Sequence, residues 1–395
     1  MSQNDVTFPK GFEAWGLSSG IKKNGKADLG VLISHPPSQI FGALTRNAVK
    51  AAPVLYCQTV LDSGKKVSHV LVNSGNANAC TGERGYADVL AQVALVREMG
   101  NPLGEIMVSS TGVIGEYLPM EKIRLGINRL FTEEKQGGPF INAIMTTDTF
   151  EKKAQASFIL DGIEVRLGGV AKGAGMIRPD MATMLAYITT DLELDASYQV
   201  AFFQSVQKSF NSISVDGDMS TNDTVFVLSN GASGAKYSKL SPAAKETFDS
   251  ELRALMQDLA KNIIRDGEGA TKLVTIDVQG AMTAEDAKSI CRAIANSPLV
   301  KTAFFGGDAN WGRVLAAAGS AGANLDPQKL TLEFCGVKVM EKGGATAYNE
   351  GDLAERMKAR DVSVKMNLGL GSELWTYWTC DFSYEYVKIN AAYRS

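Results

Sequence analysis

The chain has 395 residues, 45% of them apolar and 21% charged, which is enough to bury one large core or two moderate ones. A formal net charge of -3 excludes a general binder of phosphate backbones, although a local cation can still serve a small anionic substrate. Five cysteines (Cys57, Cys80, Cys291, Cys335 and Cys380), odd in number and without a Cys-x-x-Cys pair, argue for reduced, mostly buried thiols over a disulfide framework or a zinc site.

The first twenty residues are polar, so no secretory signal is expected, and no run reaches the roughly 18 apolar residues of a membrane span. The expectation is a cytoplasmic protein. Val70-Leu71-Val72 reads as a strand that runs into a turn-rich loop, Asn73 to Asn78. Residues 86–99 carry apolar side chains at helical spacing, stopped by Gly100-Asn101-Pro102. A second strand, Ile106-Met107-Val108, leads into the polar loop Ser109 to Gly115, and residues 121–131 are helical. Alternation at Ala156, Phe158 and Leu160 and again at Ile163, Val165 and Leu167, with Asp161-Gly162 between, predicts a hairpin.

After a glycine-dense stretch, residues 184–188 and 224–228 read as strands, and residues 198–210 and 244–264 as helices. A strand at 273–278 precedes a helix opened by Thr283 and followed by Pro298. Residues 330–334 and 337–340 flank Gly336 as a second hairpin, and 362–368 and 375–389 read as strands. Hairpins mixed with helices predict an α+β fold of layered mixed or antiparallel sheets with packed helices, with no linker separating two domains.

The glycine-dense stretch, Gly168 to Gly175, invites a phosphate-loop reading that fails on spacing. Its lysine precedes the glycine, and Pro179 follows where a helix would have to open. No Gly-x-Gly-x-x-Gly fingerprint is present, and no cofactor or metal site is expected. His35 and His69 are the only histidines and sit in no nucleophile motif, so a serine-histidine triad is a weak proposal. A free α-amine, with a pKa of about 7.7–8.0, can replace histidine as base, but it must be created by cleavage before Ser, Thr or Cys. The bond between Ala182 and Thr183 fits: a small residue precedes a hydroxyl that can attack the preceding carbonyl, giving an ester that water can cut. On pattern alone, a glycine loop before an ordinary strand threonine is the commoner reading.

The stretch Gly169 to Leu185 closely resembles the self-cleavage segment of the ornithine acetyltransferases, the glutamate N-acetyltransferases of arginine biosynthesis. The resemblance covers the chain in order: Asn73 to Asn78, Ser110 to Gly115, Ile144 to Thr149, Asp266 to Ala270, Asn296 to Thr302, Asp308 to Arg313, and Tyr386 to Asn390. It implies an N-terminal-nucleophile-like architecture in which Thr183 is the nucleophile, freed by cleavage after Ala182, with its own amine as base. It implies Thr111 and Gly112 as the oxyanion hole, in residues that otherwise read as a plain turn. Thr147, Lys172, Thr183, Glu268, Asn390 and Ser395 match its substrate contacts. Ser395 departs from the threonine often found there, which weakens that match.

The reaction that the resemblance implies is a ping-pong transfer of acetyl from N-acetylornithine to glutamate. Some members also take acetyl from acetyl-CoA. Two fragments are implied, 1–182 and 183–395, intertwined around one active site and assembled as two large and two small pieces. Two other readings stay open: a self-processing amidohydrolase or aminopeptidase of the same nucleophile type, and a non-catalytic amino-acid-binding protein.

Overall fold

The computed structural model describes residues 5–132, 138–178 and 184–392. Its strands are, in order, β1 Phe12–Leu17, β2 Leu29–Leu44, β3 Val67–Asn76, β4 Glu105–Val113, β5 Lys152–Leu160, β6 Ile163–Lys172, β7 Leu185–Thr190, β8 Ile213–Ser214 and β9 Thr224–Ser229. Next come β10 Leu273–Ala281, β11 Thr331–Phe334, β12 Val337–Glu341, β13 Gly344–Ala345, β14 Asp361–Asn367 and β15 Glu373–Cys380. The helices are α1 Ala52–Asp62, α2 Gly82–Gly100, α3 Met120–Thr132, α4 Phe140–Ile144, α5 Gln199–Gln207 and α6 Pro242–Arg265. The last five are α7 Ala284–Asn296, α8 Pro298–Phe305, α9 Trp311–Gly319, α10 Glu350–Arg356 and α11 Tyr384–Ala391.

The chain forms two compact units, each built on one sheet. The first holds an eight-stranded sheet in the order β4-β3-β2-β9-β7-β6-β5, with β1 paired to β2. Two pairs are parallel (β3 with β4, β7 with β9) and the others antiparallel, so the sheet is mixed, as expected. Strands β7 and β9 are buried along their whole length, which explains their unbroken apolar character. Successive side chains point to opposite faces. Tyr187 meets Phe140 of α4, while Phe41, one position from Ile40, meets Tyr198 and Phe202 by α5. Apolar residues of α1 to α4 and of the sheet form one core cluster.

The second unit comprises residues 174–179, 212–217 and 261–395, around a seven-stranded sheet in the order β13-β12-β11-β14-β10-β15-β8. Helix α7 covers it, burying Ile290, Cys291 and Ile294 against Val274, Ile276 and Val278 of β10. Thr283 caps α7 by accepting the Asp286 N–H at 3.0 Å, as the sequence predicts.

The hairpin at Asp161-Gly162 forms with φ of 46° and 87°, the left-handed pair that a two-residue turn requires. Two expectations are corrected. Ser109 to Val113 and Asn73 to Asn76 are not loops but the ends of β4 and β3, because their parallel backbones stay paired past the apolar residues. Residues 384–391 are helix, not strand. Ser383 ends the strand pattern and caps α11 by accepting the Glu385 N–H, with Glu385 in the first turn and Lys388 in the last. No helix among the described residues is long and apolar enough to cross a membrane.

Candidate active site

In the first unit the site is built where β3, β4 and β6 end and β7 begins. Thr111 and Gly112 lie side by side on β4, and Thr111 is buried. Gly112 pairs with Gly75 of β3 at φ 134°, and a Cβ there would stand 2.3 Å from the Gly75 carbonyl carbon. Only glycine fits. The register shifts at Gly75 and Asn76, a bulge that re-aims the backbone locally. Ser110 Oγ donates to Asn73 Oδ1 at 2.6 Å, and Asn73 Nδ2 donates to the Asn76 carbonyl at 2.9 Å, so the two polar strand ends brace each other.

Lys172 ends β6 and is buried. Its Nζ donates to Thr111 Oγ1 at 3.1 Å. A hydroxyl that accepts from an ammonium keeps its own proton for another acceptor, which is the state an oxyanion donor needs. Lys172 also pairs in register with Leu185, so the end of β6 lies opposite the start of β7.

Asp148 organises the cations. Its Oδ1 accepts from Lys152 Nζ at 2.6 Å and from the Gly173 N–H at 2.7 Å, and its Oδ2 accepts from the Thr146 N–H at 2.9 Å. The Asp148 and Lys152 side chains have no solvent exposure. Burial alone would raise the Asp148 carboxyl, but Lys172, Lys152 and the Gly173 N–H outweigh it and bring the pKa down to about 2. Lys22 adds a further cation. Burial, with Lys172 nearby, lowers it to about 8 against the opposing pull of Asp28 and Asp148, and its Nζ donates to the Ala27 and Met145 carbonyls. Thr147 is exposed on the loop that carries Asp148.

The segment Ser220 to Asp223 ties this cluster to β7. Asn222 Nδ2 donates to the Ser110 carbonyl at 2.8 Å, one residue before Thr111, and to the Ala77 carbonyl at 2.6 Å. Asp223 Oδ1 accepts the Met184 N–H at 3.0 Å, and the Thr224 N–H donates to the Met184 carbonyl at 3.1 Å.

In the second unit, Glu268 and Asn390 come together. Asn390 Nδ2, on α11, donates to Glu268 Oε2 at 3.0 Å. The Glu268 N–H donates to the Ala174 carbonyl at 2.8 Å, and a Cβ at Gly175 would lie 2.4 Å from Glu268 Oε2, so this carboxylate occupies the space beside the glycine loop. Asp216 holds the same loop by accepting the N–H groups of Met176 (2.6 Å) and Ile177 (2.8 Å).

Of the residues named from sequence, Thr111, Gly112 and Lys172 meet in one unit and Glu268 and Asn390 in the other, while Ala182, Thr183 and Ser395 lie outside the described residues. Asp148, Lys152, Asn222 and Asp223 were not singled out. The signal for the last two was a polar run, Ser220-Thr221-Asn222-Asp223-Thr224, directly before the wholly apolar Val225 to Leu228; the structure buries the run as well.

Residues 13–395 match the model of the ArgJ family. The chain is 42% identical to the arginine biosynthesis bifunctional protein ArgJ of Listeria monocytogenes, over 100% of this chain and 99% of that one. It is 44% identical to the protein of that name from Symbiobacterium thermophilum, over 99% and 98%. Among solved structures, the arginine biosynthesis bifunctional protein from Bacillus halodurans is 36% identical with a TM-score of 0.50, covering 52% of this chain and 98% of the solved one.

Proposed function

The chain belongs to the ArgJ family, and from that premise we propose how it works as an acetyltransferase of arginine biosynthesis. The chain cuts itself between Ala182 and Thr183, and the freed Thr183 carries acetyl from N-acetylornithine to glutamate. Thr183 Oγ1 attacks the acetyl carbonyl as its proton passes to the new α-amine. The Thr111 hydroxyl and the Gly112 N–H hold the oxyanion, and the carbon–nitrogen bond breaks as the ammonium protonates the departing ornithine. Glutamate then enters with its amine neutral, attacks the acetyl-threonine ester, and the same steps run in reverse.

The observation that carries this reading is the Lys172 to Thr111 bond at 3.1 Å, beside the strand that Thr183 heads in sequence. An ammonium in that place turns the threonine hydroxyl into a donor, and it also supplies a charge for a substrate carboxylate. Thr147, Lys172, Glu268, Asn390 and Ser395 are assigned to the amino-acid framework shared by donor and acceptor. Glu268 suits an ammonium group.

Two further observations are compatible with a cut chain. Strands β6 and β7, on either side of the proposed cut, are paired in one sheet, so fragments 1–182 and 183–395 would stay joined around the active site. The full-length curated relatives match end to end, whereas about half of this chain accounts for 98% of the solved Bacillus halodurans chain, the pattern expected of a protein in two pieces. Because those relatives carry the word bifunctional, the proposal extends to acetyl-CoA as a second donor. It also includes a cytoplasmic setting and an assembly of two large and two small fragments.

Incubation with N-acetylornithine tests the transfer. Equal amounts of ornithine and N-acetylglutamate, formed only with glutamate present and with parallel-line kinetics, are expected. Acetate released at the same rate without glutamate would make the protein a hydrolase instead. Acetyl-CoA as sole donor tests the second activity, and native mass tests the assembly.

A further inference from the structure

Asp223 is given no part in the acyl-transfer steps above, yet it is a fully buried acid of the first unit with one carboxyl oxygen unpaired. Its side chain is wholly buried. One carboxyl oxygen, Oδ1, accepts the Met184 N–H at 3.0 Å, while Oδ2 is buried with no hydrogen-bond partner. The Thr45 hydroxyl lies close enough to lower the pKa of the carboxyl, but its proton is directed at the Ser220 carbonyl, 2.7 Å away. A buried acceptor left unpaired costs on the order of 1–3 kcal/mol, and this one sits at the residue before β9, beside the Met184 N–H that precedes β7, where a partner made by cleavage would offset that cost.

Cleavage creates one. Thr183 is covalently joined to Met184, so a cut before Thr183 releases an amine one residue from the N–H that Asp223 already holds. Before the cut the carboxyl faces little positive charge. Burial raises its pKa well above the ordinary aspartate value, against the smaller opposing effects of the Met184 N–H, Lys172 and Thr45.

We propose that Asp223 is the positioning residue for the amine made by cleavage: Oδ1 keeps the Met184 N–H, and Oδ2 takes an N–H of the new N-terminus. The inference rests on the proposed self-cleavage before Thr183. In the acyl-transfer step the amine gains the Thr183 hydroxyl proton and becomes an ammonium. A carboxylate beside it stabilises that charge as it forms, without itself taking the proton, the task an aspartate performs behind a catalytic histidine. The carboxylate also orients the amine so that its lone pair, and not an N–H, faces the hydroxyl. Asp223 thereby links two parts of the machinery through one short segment, since its neighbour Asn222 fixes the backbone before Thr111.

The test is Asp223→Asn in the full chain. An asparagine oxygen still accepts the Met184 N–H, but its amide donates where Oδ2 accepted and so engages the amine's lone pair. The expected result is a chain that still separates into two fragments, with kcat for acetyl transfer down about 100-fold and the KM for N-acetylornithine within about threefold of wild type. The rising limb of the kcat–pH profile should move to lower pH, because the amine loses a neighbouring negative charge while Lys172 remains. Wild-type kcat with an unmoved limb would overturn the proposal, and so would a rise in KM alone. Were the wild-type chain found uncut, the self-cleavage reading itself would fail, a different outcome from either of these. Should the variant not fold, the Asp223 carboxyl can be followed by carbon-13 NMR in cut wild type and in the uncut Thr183→Ala chain. Its titration should move to lower pH on cleavage, and an identical titration in the two would contradict the proposal.

Discussion

In the seven-stranded sheet, buried polar groups are closed on one another. Lys301 Nζ bonds the Thr379 hydroxyl and the Cys380 carbonyl, and Asp381 accepts from the backbone of Thr271 and Lys272. In the unit of the eight-stranded sheet some are left unpaired: His69 Nε2 on β3, Gln92 Oε1 on α2 and Asp223 Oδ2 before β9 are buried without partners, and every buried side-chain atom of this kind among the described residues lies in that unit. An unpaired buried polar group costs a scaffold stability, whereas a site can keep one for a group that comes and goes. Of these groups only Asp223 lies beside the Met184 N–H, and with Thr111 and Lys172 in the same unit it supports assigning the acyl chemistry there.

Four substitutions or conditions bear on that contrast. The largest effect belongs to Asp148→Asn, which removes the buried carboxylate that pairs with the Lys152 ammonium and accepts the Gly173 N–H. A loss of about 3–5 kcal/mol is expected in denaturant unfolding, and a loss below about 1 kcal/mol would mean that the pair is not the keystone of the cation cluster. Next is Thr111→Val, similar in shape but without the hydroxyl. It should raise the barrier by about 3 kcal/mol, seen as roughly a 100-fold fall in kcat with little change in KM, and unchanged kcat would remove Thr111 from the oxyanion hole.

A smaller effect is expected from acid. Burial, with His35 nearby, lowers His69 to about 4, below the value of about 6.5 in an unfolded chain. Between those values the unfolded state binds more protons, so the stability is full above pH 6.5 and is lost as pH falls toward 4, by up to about 3 kcal/mol. Replacing His69 by Gln should flatten the unfolding curve across that window, and an unchanged slope would place the acid sensitivity elsewhere. The smallest effect is Ile276→Val in the second core, about 1 kcal/mol in stability with kcat unchanged. A fall in kcat there would show the second sheet to be more than scaffold.

Much of this was legible in the sequence wherever local chemistry decides structure. The Asp161-Gly162 turn needs two left-handed residues, and Thr283 needs only the next helical turn to act as a cap. Thr111 and Gly112 were located by resemblance, but their strand conformation was not readable, because it depends on pairing with Gly75, 37 positions earlier in the chain. The run from Trp375 to Ile389 read as one strand because its side chains suit a pleated sheet. The Ser383 hydroxyl that caps α11 divides it and puts Asn390 on a helix, within reach of Glu268. Asp148 and Asp223 stayed hidden because their roles come from burial and from partners 25 and 39 residues away.

The central claim, that Thr183 is freed by the chain itself and then carries the acetyl group, is tested most directly by intact-mass measurement of the purified protein beside its Thr183→Ala variant. The account predicts two fragments meeting between Ala182 and Thr183 in the wild type, with an acetyl mass added to the second fragment when N-acetylornithine is supplied without glutamate. The variant should remain one chain and gain no acetyl group. A wild-type protein that stays whole yet transfers acetyl, or a variant that still divides at that bond, would contradict it.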